Sequence, residues 1–226
     1  MSSPRLELRA VSKVYANDGQ PVEVLHGVSL SVEAGTVTAL LGRSGCGKTT
    51  LLNLAGAMDF PTSGEVLIDG RSIASLTEPE LTHLRRTQVG FVFQFFQLLP
   101  TLTVLENVEL PLLLAGARDS AKSALDRLRW VGLEDKASVL PYQLSGGQMQ
   151  RIAIARALVH SPRVLIADEP TGNLDTASGD QVLSLIRDCA TRFGAAVLMA
   201  THSPEAAAIA GVRVRLRDGR VESVER

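Results

Sequence analysis

The sequence predicts an α/β fold in which a mostly parallel β-sheet carries helices on both faces. Short apolar runs alternate with segments of helical periodicity along most of the chain, which is typical of βαβ units. A glycine-rich motif at residues 42–49 stands between a predicted strand and a predicted helix, where phosphate-binding loops occur. The N-terminal part differs, because its apolar positions alternate or cluster as in an antiparallel β layer.

The composition is that of one folded domain. The chain has 226 residues, of which 45% are hydrophobic and 21% charged, and this excludes a disordered or fibrous protein. Lys and Arg number 23 against 24 Asp and Glu, without long runs of like charge, so we expect no nucleic-acid partner. Cys46 and Cys189 fit no metal-binding spacing and the first residues form no export signal, which indicates free thiols and a cytoplasmic location.

In the first half of the chain, apolar spacing and turn residues define the elements. Three strands, at residues 6–11, 22–25 and 28–32, form the antiparallel layer, with Asn17-Asp18-Gly19 as a turn. A buried strand at 37–41, a helix at 48–55 and a strand at 65–68 follow. The uncharged stretch 87–105 nearly has the length of a membrane span, but its glutamines, threonines, Gly90 and Pro100 exclude one. Any membrane crossing therefore requires another chain.

The second half of the chain begins with a helical stretch, after which strands and helices alternate again. Residues 102–137 have a helical pattern with a break at 115–117, after which Asp119 and Ser120 are candidate N-caps. The remaining predicted elements are a helix at 149–160, a strand at 164–167, a helix at 177–190, a strand at 196–200 and a β segment at 212–221. We expect one domain over residues 1–226, with a helical subdomain at about 95–160 inserted into the core.

The motif Gly42-Arg43-Ser44-Gly45-Cys46-Gly47-Lys48-Thr49 fits the pattern G-x-x-x-x-G-K-[ST] of a P-loop. Glycines let successive backbone N–H groups face phosphate oxygens, and the helix N-terminus adds its positive end. Lys48 then reaches the β- and γ-phosphates and the Thr49 hydroxyl ligates Mg²⁺, with Thr50 beside them as a further nucleotide contact. The alternative is a glycine-rich turn. Cys46 is either a reactive thiol or an inert small apolar residue, and Cys189 lies on an apolar helix face and should be buried.

Two carboxylates follow the apolar run 164–167, which reads as a central parallel strand. Asp168 is predicted to serve Mg²⁺, and Glu169 to act near the γ-phosphate as base or orienter of water. His202 ends another apolar strand, so Lys48, Asp168/Glu169 and His202 should meet at one sheet edge. The alternatives are a solvated acidic turn and a structural histidine.

A second candidate anion site is Leu144-Ser145-Gly146-Gly147-Gln148, which precedes an Ala- and Ile-rich helix. Ser145, Gly146 and Gly147 expose backbone N–H groups at the helix N-terminus. A serine N-cap with flexible glycines is the alternative reading.

Together these residues resemble the ATP-binding subunits of ABC transporters over essentially the whole chain. Residues 42–49 resemble the P-loop, Gln94 the Q-loop, Leu144 to Gln148 the LSGGQ signature, 164–169 the Walker B strand, 173–175 the D-loop, His202 the switch histidine and Tyr15 the ring that stacks on adenine. The resemblance implies ATP and Mg²⁺ as cofactors, Gln94 as a catalytic and metal-contacting residue, and Asp175 and Gln148 as nucleotide contacts.

The resemblance is closest to the branch that serves lipoprotein release, macrolide-type efflux, antimicrobial-peptide export and cell-division signalling. It implies an ATP-dependent head-to-tail dimer in which Ser145 to Gly147 of one copy cap the ATP of the other, and an integral membrane permease partner on the cytoplasmic side. We expect the permease to contact residues 95–114, or these to pack as core. Arg43, Met149 and Ser203 depart from the family pattern. A slow regulatory module of a membrane complex and a soluble non-transport ABC protein are the alternative functions.

Overall fold

The computed structural model describes residues 4–17 and 20–226, which form strands and helices in alternation. The strands are β1 (Leu6–Asn17), β2 (Gln20–Val32), β3 (Val37–Leu41), β4 (Ser63–Ile68), β5 (Arg71–Ser72), β6 (Val89–Val92), β7 (Val164–Asp168), β8 (Ala196–Thr201), β9 (Val212–Arg217) and β10 (Arg220–Glu225). The α-helices are α1 (Lys48–Ala55), α2 (Glu78–Gln88), α3 (Val104–Leu114), α4 (Ser120–Trp130), α5 (Gly146–Leu158), α6 (Thr176–Thr191) and α7 (Pro204–Ala208).

An antiparallel sheet of order β2-β1-β4-β5 forms the N-terminal layer. In β1 the alternating residues Leu6 and Leu8 are buried, and Leu6 pairs with Val32 of β2 and Ile68 of β4. The two strands predicted at 22–25 and 28–32 are one strand, whose pairing with β1 changes register near Gly27, a glycine at φ 65°. The predicted layer is confirmed, while Asp18 and Gly19 of the predicted turn lie outside the described residues.

A six-stranded sheet of order β10-β9-β3-β8-β7-β6 forms the core. Strands β3, β6, β7 and β8 run parallel, and β9 joins β3 in the same direction. Residues 164–167 are buried on both faces of β7, which explains their unbroken apolar run. The carboxyl ends of these parallel strands therefore meet at one edge of the sheet, and the predicted α/β class is confirmed.

Helices α3, α4 and α5 share a hydrophobic cluster that includes Val108, Leu128 and Ile152. The predicted helical stretch 102–137 is two helices, with Asp119 at the N-cap of α4 but without a side-chain capping bond. Ser120 instead donates its hydroxyl to Glu109 at 2.6 Å. Helix α5 begins at Gly146, earlier than the predicted 149, because Ser145 caps it. The boundary of an inserted subdomain stays a prediction.

Helix α2 and strand β6 are absent from the sequence-based assignment. Helix α2 buries only Leu81 and Leu84, so its apolar periodicity is weak, although its Thr77/Glu80 capping box was a usable signal. Strand β6 is four residues long and lies inside the uncharged stretch 87–105. That stretch contains the end of α2, β6 and the start of α3. Within residues 4–17 and 20–226, no helix is long and apolar enough to cross a membrane.

Candidate nucleotide-binding site

A cavity of about 600 Å³ opens at the carboxyl edge of the parallel strands. Most of the residues that line the cavity come directly after β3, β6, β7 or β8 in the chain. Ligand sites of open α/β sheets lie at these carboxyl ends of the strands. The lining residues are Val24, Gly42, Arg43, Ser44, Gly45, Gly47, Lys48, Thr49, Thr50, Gln94, Asp168, Glu169 and His202. The predicted convergence of Lys48, the carboxylate pair and His202 on one edge is thus present.

The loop between β3 and α1 has the backbone geometry that its glycines permit. Gly45 and Gly47 lie at φ 80° and 102°, a region that side chains with a Cβ rarely adopt. A Cβ at Gly42 would lie 2.4 Å from the Leu216 carbonyl oxygen, so this position requires glycine. The Lys48 ammonium donates to the carbonyls of Gly42 and Arg43 at 2.7 and 3.2 Å, which places a cation over the loop at the N-terminus of α1.

Thr49 and Asp168 join the loop to the end of β7. The Thr49 hydroxyl donates to Asp168 Oδ2 at 3.0 Å. Burial raises the pKa of Asp168, and the neighbouring Glu169 adds to this, while the Thr49 hydrogen bond and Lys48 act in the opposite direction. A cation would relieve this destabilised carboxylate. Hydroxyl, carboxylate and amide oxygens from Thr49, Asp168 and Gln94 suit Mg²⁺, whereas the described part of the chain has no cluster of three His, Cys, Asp or Glu side chains with metal-site geometry.

Glu169 and His202 form a contact across neighbouring strands. Glu169 Oε2 lies 2.9 Å from His202 Nδ1 and accepts the His202 backbone N–H at 3.3 Å. The Glu169 backbone is held at φ 45°, where its N–H donates to the Ala200 carbonyl at 3.0 Å. A non-glycine residue at positive φ costs free energy and often occurs at functional sites. At Glu169 the backbone leaves the direction of strand β7, and the Glu169 carboxylate lines the cavity.

The backbone of Gln94 is bound to the loop that follows β7. Asn173 donates its side-chain N–H to the Gln94 carbonyl at 3.2 Å, and a Cβ at Gly172 would lie 3.0 Å from Gln94 Nε2. The side chain of Gln94 therefore lies beside this loop and lines the cavity.

The other predicted site residues lie outside this cavity in the part of the chain that the structure describes. Ser145 caps α5, accepting the Gln148 N–H at 3.3 Å, and Gln148 accepts the Ser145 N–H at 2.9 Å. Gly146 and Gly147 open the helix, and a Cβ at Gly147 would lie 2.6 Å from the Ser178 hydroxyl. Asp175 caps α6 through Ser178, and these hydrogen bonds lower the pKa of Asp175.

Cys46 and Tyr15 are also outside the lining. Cys46 is 8% exposed and belongs to the hydrophobic core, which favours the inert small residue over the reactive thiol. The predicted burial of Cys189 is correct. Tyr15 donates its hydroxyl to Asp59 at 2.9 Å and stands on β1, beside the P-loop helix.

Two residues that hold the Gln94 segment belong to none of the motifs predicted from the sequence. Gln150 is completely buried and donates to the carbonyls of Phe93 and Pro170 at 3.2 and 2.7 Å. Arg156 donates to the carbonyls of Phe96 and Gln97, which lie at φ 56° and 52°. A polar residue on the buried face of an otherwise apolar helix was the available signal for Gln150.

A parallel sheet with a P-loop, a carboxylate pair and a histidine at one edge defines a P-loop nucleoside triphosphatase. The family can be stated more closely. The model of the ABC transporter family matches residues 25–172, and the chain belongs to that family. It is an ATP-binding ATPase subunit of an ATP-driven transporter.

Curated relatives and solved structures agree with this assignment. An uncharacterized ABC transporter ATP-binding protein of Thermotoga maritima is 45% identical over 98% of this chain and 95% of its own length. The lipoprotein-releasing system ATP-binding protein LolD of Anaeromyxobacter dehalogenans is 46% identical over 98% and 94%. The macrolide export ATP-binding/permease protein MacB of Brucella abortus is 44% identical, and the chain spans 34% of it. These relatives support the branch expected from the sequence.

Among solved structures, the dimeric ATP-binding cassette MJ0796 bound to ADP and Pi has a TM-score of 0.90 and 40% identity, covering 98% of both chains.

Proposed function

We propose that the chain hydrolyses MgATP at the interface between two copies and thereby drives an integral membrane permease. The observation that carries this proposal is the division of the site. One chain brings the P-loop, Asp168, Glu169 and His202 to one cavity, while the signature at Ser145 to Gln148 lies elsewhere. A site that needs both parts requires a second chain.

Each residue of the cavity has a role in this proposal. Loop N–H groups and Lys48 bind the phosphates, and Thr49, Asp168 and Gln94 hold Mg²⁺. The bound Mg²⁺ would supply charge neutralisation on the phosphate oxygens. Glu169 accepts a proton from, or orients, the attacking water, and His202 fixes the Glu169 carboxylate through their 2.9 Å contact. The protein therefore acts by positioning and charge stabilisation.

The second copy contributes its signature and Asp175. Ser145, Gly146 and Gly147 expose N–H groups at the start of α5, where the helix dipole favours a phosphate. In a head-to-tail dimer these groups face the γ-phosphate bound by the partner's P-loop, and symmetry gives two such sites. The dimeric state of the related cassette MJ0796 supports this arrangement.

The permease contact is assigned to residues 95–114, on the cytoplasmic face of the membrane. Phe95 is 68% exposed and Leu99 43%, and Leu113 and Leu114 are also exposed, so part of this stretch is surface. A neighbouring groove of about 320 Å³ is lined by Phe91, Phe93, Arg86, Arg156 and His160, among others. Aromatic rings flanked by cations fit an amphipathic segment that carries acidic residues.

A charged residue at Phe95 tests the permease contact. Phe95→Glu should bind ATP as the parent does, because its side chain is exposed, but should no longer copurify with the permease or be stimulated by it in proteoliposomes. Val224→Glu on β10, also at an exposed apolar residue (51%), is the control and should retain both. Equal recovery and stimulation of the two variants would exclude residues 95–114 as the contact. A charged residue at Phe96 is less suitable for this test, since Phe96 is half-buried.

A further inference from the structure

Three side chains beside the P-loop helix form a cluster that the predicted motifs did not include. Lys13 and Tyr15 lie on β1, and Asp59 follows α1. The Lys13 ammonium donates to Asp59 Oδ1 and to the Phe60 carbonyl, both at 2.7 Å. The Tyr15 hydroxyl donates to the other oxygen, Asp59 Oδ2, at 2.9 Å. The Asp59 carboxylate thus binds Lys13 and Tyr15 of β1 at the same time.

The charges in the cluster keep these bonds in place at neutral pH. Partial burial opposes the charge on Asp59, but the hydrogen bonds from Lys13, the Phe60 N–H and Tyr15 outweigh it and lower its pKa. Burial and the bond to Asp59 raise the pKa of Tyr15. The tyrosine therefore keeps its proton and donates to a carboxylate, and hydrogen bonds to charged groups are stronger than neutral ones.

Lys13 also occupies one face of the Tyr15 ring. Its ammonium lies 4.8 Å from the ring centroid, a cation–π distance, and its side chain is only 12% exposed. Tyr15 itself is 38% exposed. The face opposite Lys13 is therefore the one left for an aromatic ligand, and the hydrogen bond of the hydroxyl fixes where the outer end of the ring lies.

Asp59 connects this ring to the phosphate-binding helix. The turn after α1 is closed by backbone bonds from Ala57 to Leu54 and from Met58 to Asn53, at 3.1 and 2.9 Å. Helix α1 begins at Lys48 directly after the P-loop. The distance between the ring and the phosphate site is thus set through Asp59.

We propose that Asp59 and Lys13 are positioning residues that fix Tyr15 as a one-sided stacking platform for the nucleotide base and hold it at a set distance from the P-loop. This inference rests on the proposed nucleotide site and adds to it the residues that orient the base. Loss of the Asp59–Tyr15 bond leaves the ring present but free to rotate, so only the base-dependent part of the affinity falls.

The test compares MgATP with inorganic tripolyphosphate, which has phosphates but no base. Calorimetry is done on the parent, Asp59→Ala, Tyr15→Phe and the double variant. Each single variant should bind MgATP about 5- to 10-fold more weakly, which is less than a whole hydrogen bond to a charged group because the ring itself remains, and the double variant no more weakly than either single. Tripolyphosphate affinity should not change. In hydrolysis assays KM should rise with kcat unaltered.

Matched variants separate this effect from general damage. Glu65→Ala removes another carboxylate of similar exposure that faces a β1 cation, Arg9, at 3.5 Å, and should leave both affinities unchanged. Asp59→Asn keeps an acceptor oxygen for Tyr15 and should recover most of the MgATP affinity lost in Asp59→Ala.

Three results would overturn the inference: equal loss of tripolyphosphate binding in Asp59→Ala, additive effects in the double variant, or MgATP affinities that match the parent. In the last case Lys48→Ala is the control. If Lys48→Ala abolishes MgATP binding, the proposed nucleotide site stands, and only the positioning role is wrong. If the parent protein binds neither MgATP nor tripolyphosphate, the positioning role and the proposed nucleotide site are both wrong.

Discussion

His160, just after α5, is a half-buried titratable residue outside the catalytic set. Its Nε2 contacts the Val89 carbonyl at 3.1 Å, and its Nδ1 is buried without a partner in the described part of the chain. Burial lowers the pKa of His160, the charge of Arg127 acts in the same direction, and the bond to Val89 opposes both. The folded state therefore takes up this proton less readily than the unfolded state.

Because the pKa of His160 is lower in the folded state than in the unfolded state, we expect the protein to lose stability in acid. Below the unfolded pKa of about 6.5, unfolded chains bind the proton and stability falls, by at most about 1.4 kcal/mol per pH unit, until the folded pKa is reached. His160→Gln keeps an N–H for Val89 and should lose less stability between pH 7.5 and 5.5 than the parent, measured by urea denaturation. His83→Gln, at an exposed position, is the control. An identical pH dependence in all three proteins would contradict the argument.

At the residue scale, fixed local motifs made the phosphate and carboxylate residues predictable. Lys48, Asp168 and His202 were identified because each follows an apolar strand, and the strand order then determines where they meet. Asp59 and Arg156 carry no such local signal, since their importance depends on contacts with Tyr15 and with the Phe96 carbonyl, which lie 44 and 60 positions away along the chain. Only the folded structure brings those partners together.

At the scale of elements, Asn107 holds helix α3 to the loop before it. It is 1% exposed, accepts the Leu99 N–H at 2.8 Å, and donates towards the carbonyls of Leu99, Leu102 and Thr103 at 3.0 to 3.1 Å. This one side chain pairs the Leu99 N–H and the Leu102 carbonyl, which no strand or helix pairs. The loop links the Gln94 segment to α3, so its order affects both the site and the proposed permease contact.

Asn107→Ala should cost about 2 to 3 kcal/mol of unfolding free energy, because it leaves buried backbone groups without partners. Glu106→Ala at the preceding residue removes the two bonds that its carboxylate accepts from the Thr103 N–H and hydroxyl, both at 2.7 Å, and should cost less, because Glu106 is exposed to water. Urea denaturation of both variants measures the difference. Equal costs would mean that the loop does not depend on the buried amide.

Element boundaries were predictable where side-chain chemistry determines them. The starts of β3 and α1 match the sequence prediction because Val37 opens an apolar run and Lys48 follows the glycine loop. The start of α5 was misplaced because Gly146 and Gly147 are poor helix formers, yet the Ser145/Gln148 capping box begins the helix there. Ser178 packs so close to Gly147 that a Cβ there would lie 2.6 Å from its hydroxyl, which explains a glycine inside the helix.

For the whole molecule, the central claim is that ATP joins two chains and hydrolysis separates them. The α/β order and the parallel sheet followed from the sequence pattern, but the separation of the signature from the P-loop cavity did not, because it depends on how α5 packs on the sheet. A ligand bound by both chains stabilises the dimer as long as it persists. The lifetime of the dimer should therefore depend on Glu169.

The most direct test is size-exclusion chromatography of Glu169→Gln in saturating MgATP, together with its hydrolysis rate. The substitution keeps the shape of the side chain and removes the acceptor carboxylate, so turnover should fall at least about 100-fold and the protein should elute as a stable dimer. Lys48→Ala, which weakens phosphate binding, should remain monomeric under the same conditions. A Glu169→Gln protein that hydrolyses ATP near the parental rate, or that stays monomeric in saturating MgATP, would contradict the account.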